Sequence, residues 1–412
     1  MTKFLNRRAV LAGSAAALSA SMLPHRVRAA FAPIKIGVLT DMAGPYADDS
    51  GEGSVVAAQL AVEEFAKMNP GIPVELISGD MQGKPDVASE IASKWYDREG
   101  VDAIIDVPVS SAALAVAFVA RQKNKVALLN PGTSDLSGKA CSPNHVHWAF
   151  DTYALAASTG QAVLAEGGKT WFFVQADYAF GAALVADTTS IIEAHGGKSL
   201  GSVRYPFPGT TDFASFLLQA QASRAEVIAF ANAGADASNA IKQAGEFGIA
   251  NGKVKLAALL CFIPQIKALG LDVAQGLMLT EGFYWDLNDR TRRLSTRYAA
   301  QMKGAVPCTI QVGCYSAVLH YLKAVAITGV DVAKASGGAL VAKMKEIPTD
   351  DDAFGPGRIR EDGRKIHDMH LFQVKNKAES TSPWDLYRLV RTTPGEQAFR
   401  PISAELCPLM HL

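Results

Sequence analysis

The strongest constraint on this chain is a strand–helix alternation that runs through it twice. Ile34 to Thr40 is an apolar, β-branched run closed by Asp41 and Gly44-Pro45, the pattern of a strand buried on both faces. Helical spacing follows over Val55–Phe65. Strands are then predicted at Val74–Ser78, Val101–Val107 and Lys125–Leu129, with helices at Asp86–Tyr96 and Ser111–Arg121. About 130 residues later the order recurs, with strands at Thr170–Val174, Val203–Pro206, Glu226–Ala231 and Leu256–Leu260. The first of these again ends in an aspartate, Asp177. Strands alternating with helices of this length predict doubly wound parallel sheets, and two such sets predict two α/β domains.

The remaining elements are few. A strand at Gly276–Glu281, helices at Arg290–Met302, Gln311–Ile327 and Ala339–Lys345, and strands at His370–Lys375 and Trp384–Val390 do not suffice for a third domain. They are expected to complete the first two, which requires the chain to cross between them more than once. The division expected is 31–150 with 284–360 for one lobe, and 151–283 with 361–412 for the other.

Charge removes other classes. The 412 residues hold 40 Lys+Arg against 40 Asp+Glu, without the basic field of a nucleic-acid binder. No apolar run in the sequence is read as a membrane span. Residues 1–30 read as an export signal, with Lys3, Arg7 and Arg8, a mild apolar stretch over Ala9–Leu23, and Val27-Arg28-Ala29 placing cleavage near Ala29 or Ala30. The Arg7-Arg8 pair favours twin-arginine export over the general secretory route. The segment up to Arg28 carries five basic residues and no acid, so its removal leaves 35 basic against 40 acidic residues, a net charge of −5. The expected location is the periplasm.

Five cysteines remain, an odd number, so at least one is free or paired with another chain. Cys261 lies in an apolar run and reads as a buried thiol. Cys141 and Cys407, in loop-like sequence beside prolines, are the disulfide candidates, and Cys308 and Cys314 could pair across a short loop. No metal or cofactor is expected. Gly51-x-Gly53 lies too far beyond the first strand for a dinucleotide fingerprint and reads as a mobile loop before a helix. His145 with His147, and His367 with His370, lack a nearby acid or thiol cluster and read as surface polar residues. Asp350-Asp351-Asp352 reads as a solvated turn.

In open α/β sheets ligands bind beyond the carboxyl ends of the strands. Those ends carry Tyr46 and Asp49; Ser110 and Ser111; Thr133 and Ser134; Asp177, Tyr178 and Phe180; Asn232; Phe262; and Glu281. Hydroxyls and free N–H groups at helix starts favour a carboxylate, and aromatics supply apolar walls with polar tips.

The segments IKIGVLTDMAGPYADDSGEG, VDAIIDVPVSSAALAVA, PGTSDLSGKACSP, TWFFVQADYAFG, ANAGADASNAIKQA and LTEGFYWDLND resemble the periplasmic solute-binding proteins of branched-chain amino-acid ABC importers. The similarity runs in consistent order over nearly the whole chain after the export signal. It implies two Rossmann-like domains joined by three crossovers, with a ligand cleft between them. It further implies that Ser110 and Thr133 hold the ligand carboxylate, with Phe180 where a tyrosine is usual. The family's amino-acid binders place an acid after the fourth strand of the second domain, but here that stretch is Cys261-Phe262-Ile263-Pro264-Gln265.

The resulting expectation is a monomeric, non-enzymatic receptor that binds a branched-chain or other hydrophobic amino acid by hinge closure. A membrane permease and its ATPase would be its partners. The missing acid opens the alternative of an aromatic or other amine-free acid. The same fold could instead serve as a periplasmic sensor subunit. An exported oxidoreductase, a third reading, would carry a chromophore.

Overall fold

The computed structural model describes residues 32–130, 132–249, 254–403 and 406–411. The expected export signal and its cleavage site lie outside the described residues. From Pro33 onward the chain forms one compact unit, built as two α/β lobes. In the first, β1 (Ile34–Thr40), β2 (Val74–Asp80), β3 (Ala103–Asp106), β4 (Val126–Leu129) and β5 (His145–His147) form an all-parallel sheet of order β2-β1-β3-β4-β5. Strand β1 lies inside the sheet between β2 and β3, and all of its residues but Lys35 are buried, as expected of a strand covered on both faces. Three helices connect the early strands: α1 (Gly51–Met68), α2 (Pro85–Asp97) and α3 (Ser110–Gln122).

The second lobe repeats the plan. β6 (Thr170–Ala176), β7 (Lys198–Tyr205), β8 (Val227–Ala231) and β9 (Lys255–Ala258) form a parallel sheet of order β7-β6-β8-β9. The late elements complete both lobes. The helix Asp289–Gln301 and the long helix Thr309–Thr328 pack on α1 of the first lobe. β10 (Met278–Glu281), β13 (Met369–Val374) and β14 (Tyr387–Thr393) form an antiparallel sheet in the second. Between them lies the hairpin β11 (Arg358–Ile359) and β12 (Lys365–Ile366). The chain therefore crosses between lobes three times: after β5, after β10 and between β12 and β13.

The third crossing is anchored by a charge without solvent. Arg364 is fully buried; its guanidinium donates to the carbonyls of Phe150 at 3.1 Å and Trp148 at 3.0 Å. Arg364 also pairs with His147 as a parallel bridge, so this end of the hairpin lies against β5 of the first sheet.

Several local expectations are corrected. Gly51 and Gly53 are buried residues in the first turn of α1, and the Gly51 N–H donates to Thr40 Oγ1 at 2.8 Å. They form an anchored helix start and not a loop. Asp351 is buried because its carboxylate accepts from Ala353 N, Phe354 N and Ser316 Oγ, while Asp350 and Asp352 pair with Arg290. All four histidines of the two pairs are buried; His145 bonds the Leu136 carbonyl and His367 that of Ala149. The helix Thr309–Thr328 is apolar and long enough to cross a membrane, yet 83% of its most apolar window is buried inside the protein. It is a core helix. Cys308 and Cys314, at and within that helix, are free and buried, as is Cys261. Cys141 and Cys407 are joined by a disulfide.

Candidate functional site

The site grows from the carboxyl ends of both parallel sheets. At the end of β1, the buried Asp41 carboxylate accepts the N–H groups of Gly44 at 2.9 Å and Tyr46 at 3.0 Å. This Asx-type turn directs Tyr46 toward the cleft between the lobes. At the end of β3, Asp106 (φ 79°) and Val107 (φ 57°) are both left-handed. That conformation is costly for a β-branched residue and persists where the surroundings enforce it. It delivers Pro108 to the cleft and starts α3 at Ser110.

Ser110 and Thr133 meet there. Ser110 Oγ accepts the Thr133 N–H at 3.1 Å, and Thr133 Oγ1 accepts the Asp135 N–H at 3.3 Å. Each oxygen is thus occupied by a backbone donor, which leaves its own O–H free to donate. Gly132 makes the approach possible, because at φ +119° a Cβ there would lie 2.9 Å from Ser110 Oγ. The first turn of α3 adds N–H groups that no side chain caps, since its N-cap is Val109. Two hydroxyls and a helix start make a donor set for an anion without any cation.

The second lobe faces it with aromatics. Tyr178 stacks on Phe207 at 4.2 Å between ring centroids, and Tyr46 of the first lobe lies 5.9 Å from the same ring. The hydroxyls of Tyr46 and Tyr178 touch across the cleft. The Ala235 N–H donates to the Pro45 carbonyl at 2.9 Å, so the lobes are closed. Between them Tyr46, Pro108, Phe150, Tyr178, Phe180 and Phe262 wall a cavity of about 10 Å³, with Leu260, Ile310 and Ala233 filling the gaps. That is about the room one water needs, so any larger guest must enter with the lobes apart. The wall carries no charge.

Four of the residues named from sequence line this cavity: Tyr46, Tyr178, Phe180 and Phe262. Ser110 and Thr133 lie together beside Pro108, and Ser111 is half-buried in the first turn of α3. Ser134 is committed elsewhere, its hydroxyl donating to Asp187 of the second lobe at 2.8 Å. Asp177 points outward, 58% exposed at the side chain and 3.8 Å from Arg204. Asn232 is buried at the end of β8. Glu281 is buried between Thr309 Oγ1 at 2.9 Å and Tyr387 OH at 3.0 Å, and burial pushes its carboxyl up to about 8. Asp49 is buried behind Phe262, bonded to Gln265 at 2.7 Å and pushed up to about 8 by desolvation.

Sequence reasoning missed Pro108, Phe150, Leu260 and Ile310 as wall residues. It also missed Asp236, which accepts from Tyr205 OH at 2.9 Å behind the wall and is raised to about 6 by burial. Its signal was an acid two residues past the Asn232-Ala-Gly strand end. Among the described residues no cluster of His, Cys, Asp and Glu is suited to hold a metal.

The family model described as periplasmic binding protein matches residues 33–379. A periplasmic binding protein from Burkholderia mallei is 46% identical, with 89% of this chain and 96% of that one covered and a TM-score of 0.85. A branched chain amino acid ABC transporter periplasmic ligand-binding protein from Burkholderia xenovorans LB400 is 41% identical, with 89% and 97% covered and a TM-score of 0.77. An ABC transporter solute binding protein from Rhodopseudomonas palustris, solved with benzoate, shares the fold at 21% identity, 88% and 97% coverage and a TM-score of 0.77. No curated protein matches the chain. With two parallel-sheet lobes, three crossovers and a closed cleft between strand ends, the chain belongs to the periplasmic binding protein family.

Proposed function

We infer that the protein is the extracytoplasmic receptor of an ABC importer, and that its ligand is a small carboxylic acid with an apolar, chiefly aromatic body and no amine. The uncharged wall carries this reading. Five aromatic rings, Tyr46, Phe150, Tyr178, Phe180 and Phe262, surround the cavity, and aromatic side chains favour flat apolar partners. The carboxylate docks at the O–H groups of Ser110 and Thr133 and the first N–H groups of α3, where charge-assisted hydrogen bonds are strong. An ammonium group would meet no ionised partner in the wall, and burying it unpaired costs several kcal/mol.

Ligand enters with Tyr46 and Tyr178 apart and is enclosed when the lobes swing together. Closure is favoured to the extent that the ligand touches both lobes. The division expected from sequence, 31–150 with 284–360 against 151–283 with 361–412, assigns the carboxylate donors to one moving body and Tyr178, Phe180 and Phe262 to the other. A membrane permease with its ATPase then accepts the closed form, and the ligand leaves unchanged.

A second reading, a branched-chain or other hydrophobic amino acid, has two observations in its favour. The first is that the 41% identical relative from Burkholderia xenovorans LB400 is a branched chain amino acid ABC transporter periplasmic ligand-binding protein. The second is that Asp236 lies close enough to be felt electrostatically by Tyr46 and Tyr178. A thermal-shift panel separates the two. At 100 times its dissociation constant a true ligand stabilises by about 2.7 kcal/mol. Benzoate, 4-hydroxybenzoate or cinnamate should raise the midpoint, whereas leucine and valine should not. A shift with leucine or valine alone would reverse the assignment.

A further inference from the structure

One side chain ties the two walls of the cleft together. Gln265 Oε1 accepts the N–H of Phe262 at 3.1 Å, and its Nε2 donates to Asp49 Oδ1 at 2.7 Å. Phe262 is cavity wall in the second lobe. Asp49 sits on the first-lobe loop that presents Tyr46, held by bonds from Asp49 N and Ser50 Oγ to the Tyr46 carbonyl. The bond is buried at both ends, and Asp49 Oδ2 has no hydrogen-bond partner among the described residues.

Among the described residues, the groups facing Asp49 offer no positive charge. Asp48 neighbours it on its own loop and Cys308 donates to its carbonyl at 3.3 Å. Cys261 and Glu281 face it from the second lobe. A carboxylate enclosed here would be a buried charge with one neutral donor, which is costly. Parting the lobes would remove Gln265 and Phe262 and let water reach it.

We propose that Asp49 and Gln265 form a cross-lobe latch that sets Phe262 against the cavity and that closes with Asp49 protonated. The proposal rests on the reading that the lobes part to admit a ligand. Both are positioning residues, acting on the ligand through Phe262. The sign follows from linkage. Asp49 titrates near its ordinary 3.8 when solvated and about 8 when enclosed, so closure takes up a proton. The closed-to-open ratio then falls by up to about tenfold per pH unit between pH 5 and pH 8, and levels off above.

The test needs no ligand. Lys84 and Thr211 are exposed on loops that approach across the cleft, where a Cβ on Gly83 would lie 3.8 Å from Pro208 Cγ. The native thiols are buried or disulfide-bonded, so cysteines introduced at 84 and 211 take spin labels selectively. Pulsed dipolar distances are measured at pH 5 and pH 8.5 in the otherwise native protein, in Asp49→Asn and in Gln265→Ala. The short-distance population should shrink at pH 8.5 in the native sequence and persist at both pH values in Asp49→Asn. It should be depleted at both in Gln265→Ala. Equal populations at the two pH values in the native sequence would overturn the proposal, as would a Gln265→Ala protein that closes like the native one. One fixed distance in all three proteins would mean that the lobes never part, and would remove the hinge reading as well. If Gln265→Ala does not fold, the native and Asp49→Asn pH profiles decide alone.

Discussion

Gly234→Ala separates folding from closure. Gly234 opens the helix Gly234–Glu246 at φ +61°, and a Cβ there would lie 2.3 Å from the Pro45 carbonyl oxygen of the facing lobe. The left-handed backbone costs an L-residue about 1–2 kcal/mol whatever the lobes do. The collision exists only with the lobes closed. Relieving it means holding them apart, which breaks the Ala235 N–H bond to Pro45 at 2.9 Å and the contact between Tyr46 and Tyr178. At about 0.5–1.5 kcal/mol net for each hydrogen bond, closure loses roughly 1–3 kcal/mol. The dissociation constant should then rise about 5- to 150-fold. Calorimetric titration measures that rise, and urea unfolding of the free protein measures the backbone cost separately. A variant that pays the backbone cost yet binds within twofold of the native protein would show that binding does not use the closed contact.

Other expectations follow from the same contacts. Ser110→Ala removes a donor to the ligand carboxylate and strands the Thr133 N–H, which should raise the dissociation constant about 10- to 150-fold by titration. The Cys141–Cys407 bridge spans 266 residues of sequence, so urea unfolding with and without reductant should show a loss of about 2–4 kcal/mol. Glu281 titrates near 4.5 when unfolded and about 8 when buried. Its stabilising effect is therefore complete at acid pH and lost as pH rises through that window. Differential scanning calorimetry from pH 5 to pH 9 should show the native midpoint falling and a flatter profile for Glu281→Gln.

How much of this was readable in the sequence depends on how local the cause is. Buried parallel strands are apolar along their whole length, so β1, β3, β4 and β8 stand out as runs between helices. Ser110 and Thr133 could be placed because they follow such strands directly. Phe150 and Ile310 could not, because they reach the cleft from a crossover and from the start of a core helix, each fixed by packing far away in sequence. The same non-locality explains the misread polar residues. Asp351 looks like a solvated turn until Ser316 and the amides of Ala353 and Phe354 are seen to enclose it. Asp49 looked like a ligand contact because it follows the Tyr46 loop, and only the position of Gln265, 216 residues on, shows that its carboxylate is already engaged.

The central claim is a carboxylate site whose surroundings reject an ammonium group. Matched pairs differing only in that group test it most directly: 3-phenylpropanoate against phenylalanine, and 4-methylpentanoate against leucine, each titrated by calorimetry at pH 7. In each pair that binds, the amine-free acid should bind at least about 100-fold more tightly, a difference of about 2.7 kcal/mol. An amino acid that binds more tightly than its amine-free partner in either pair would contradict the claim.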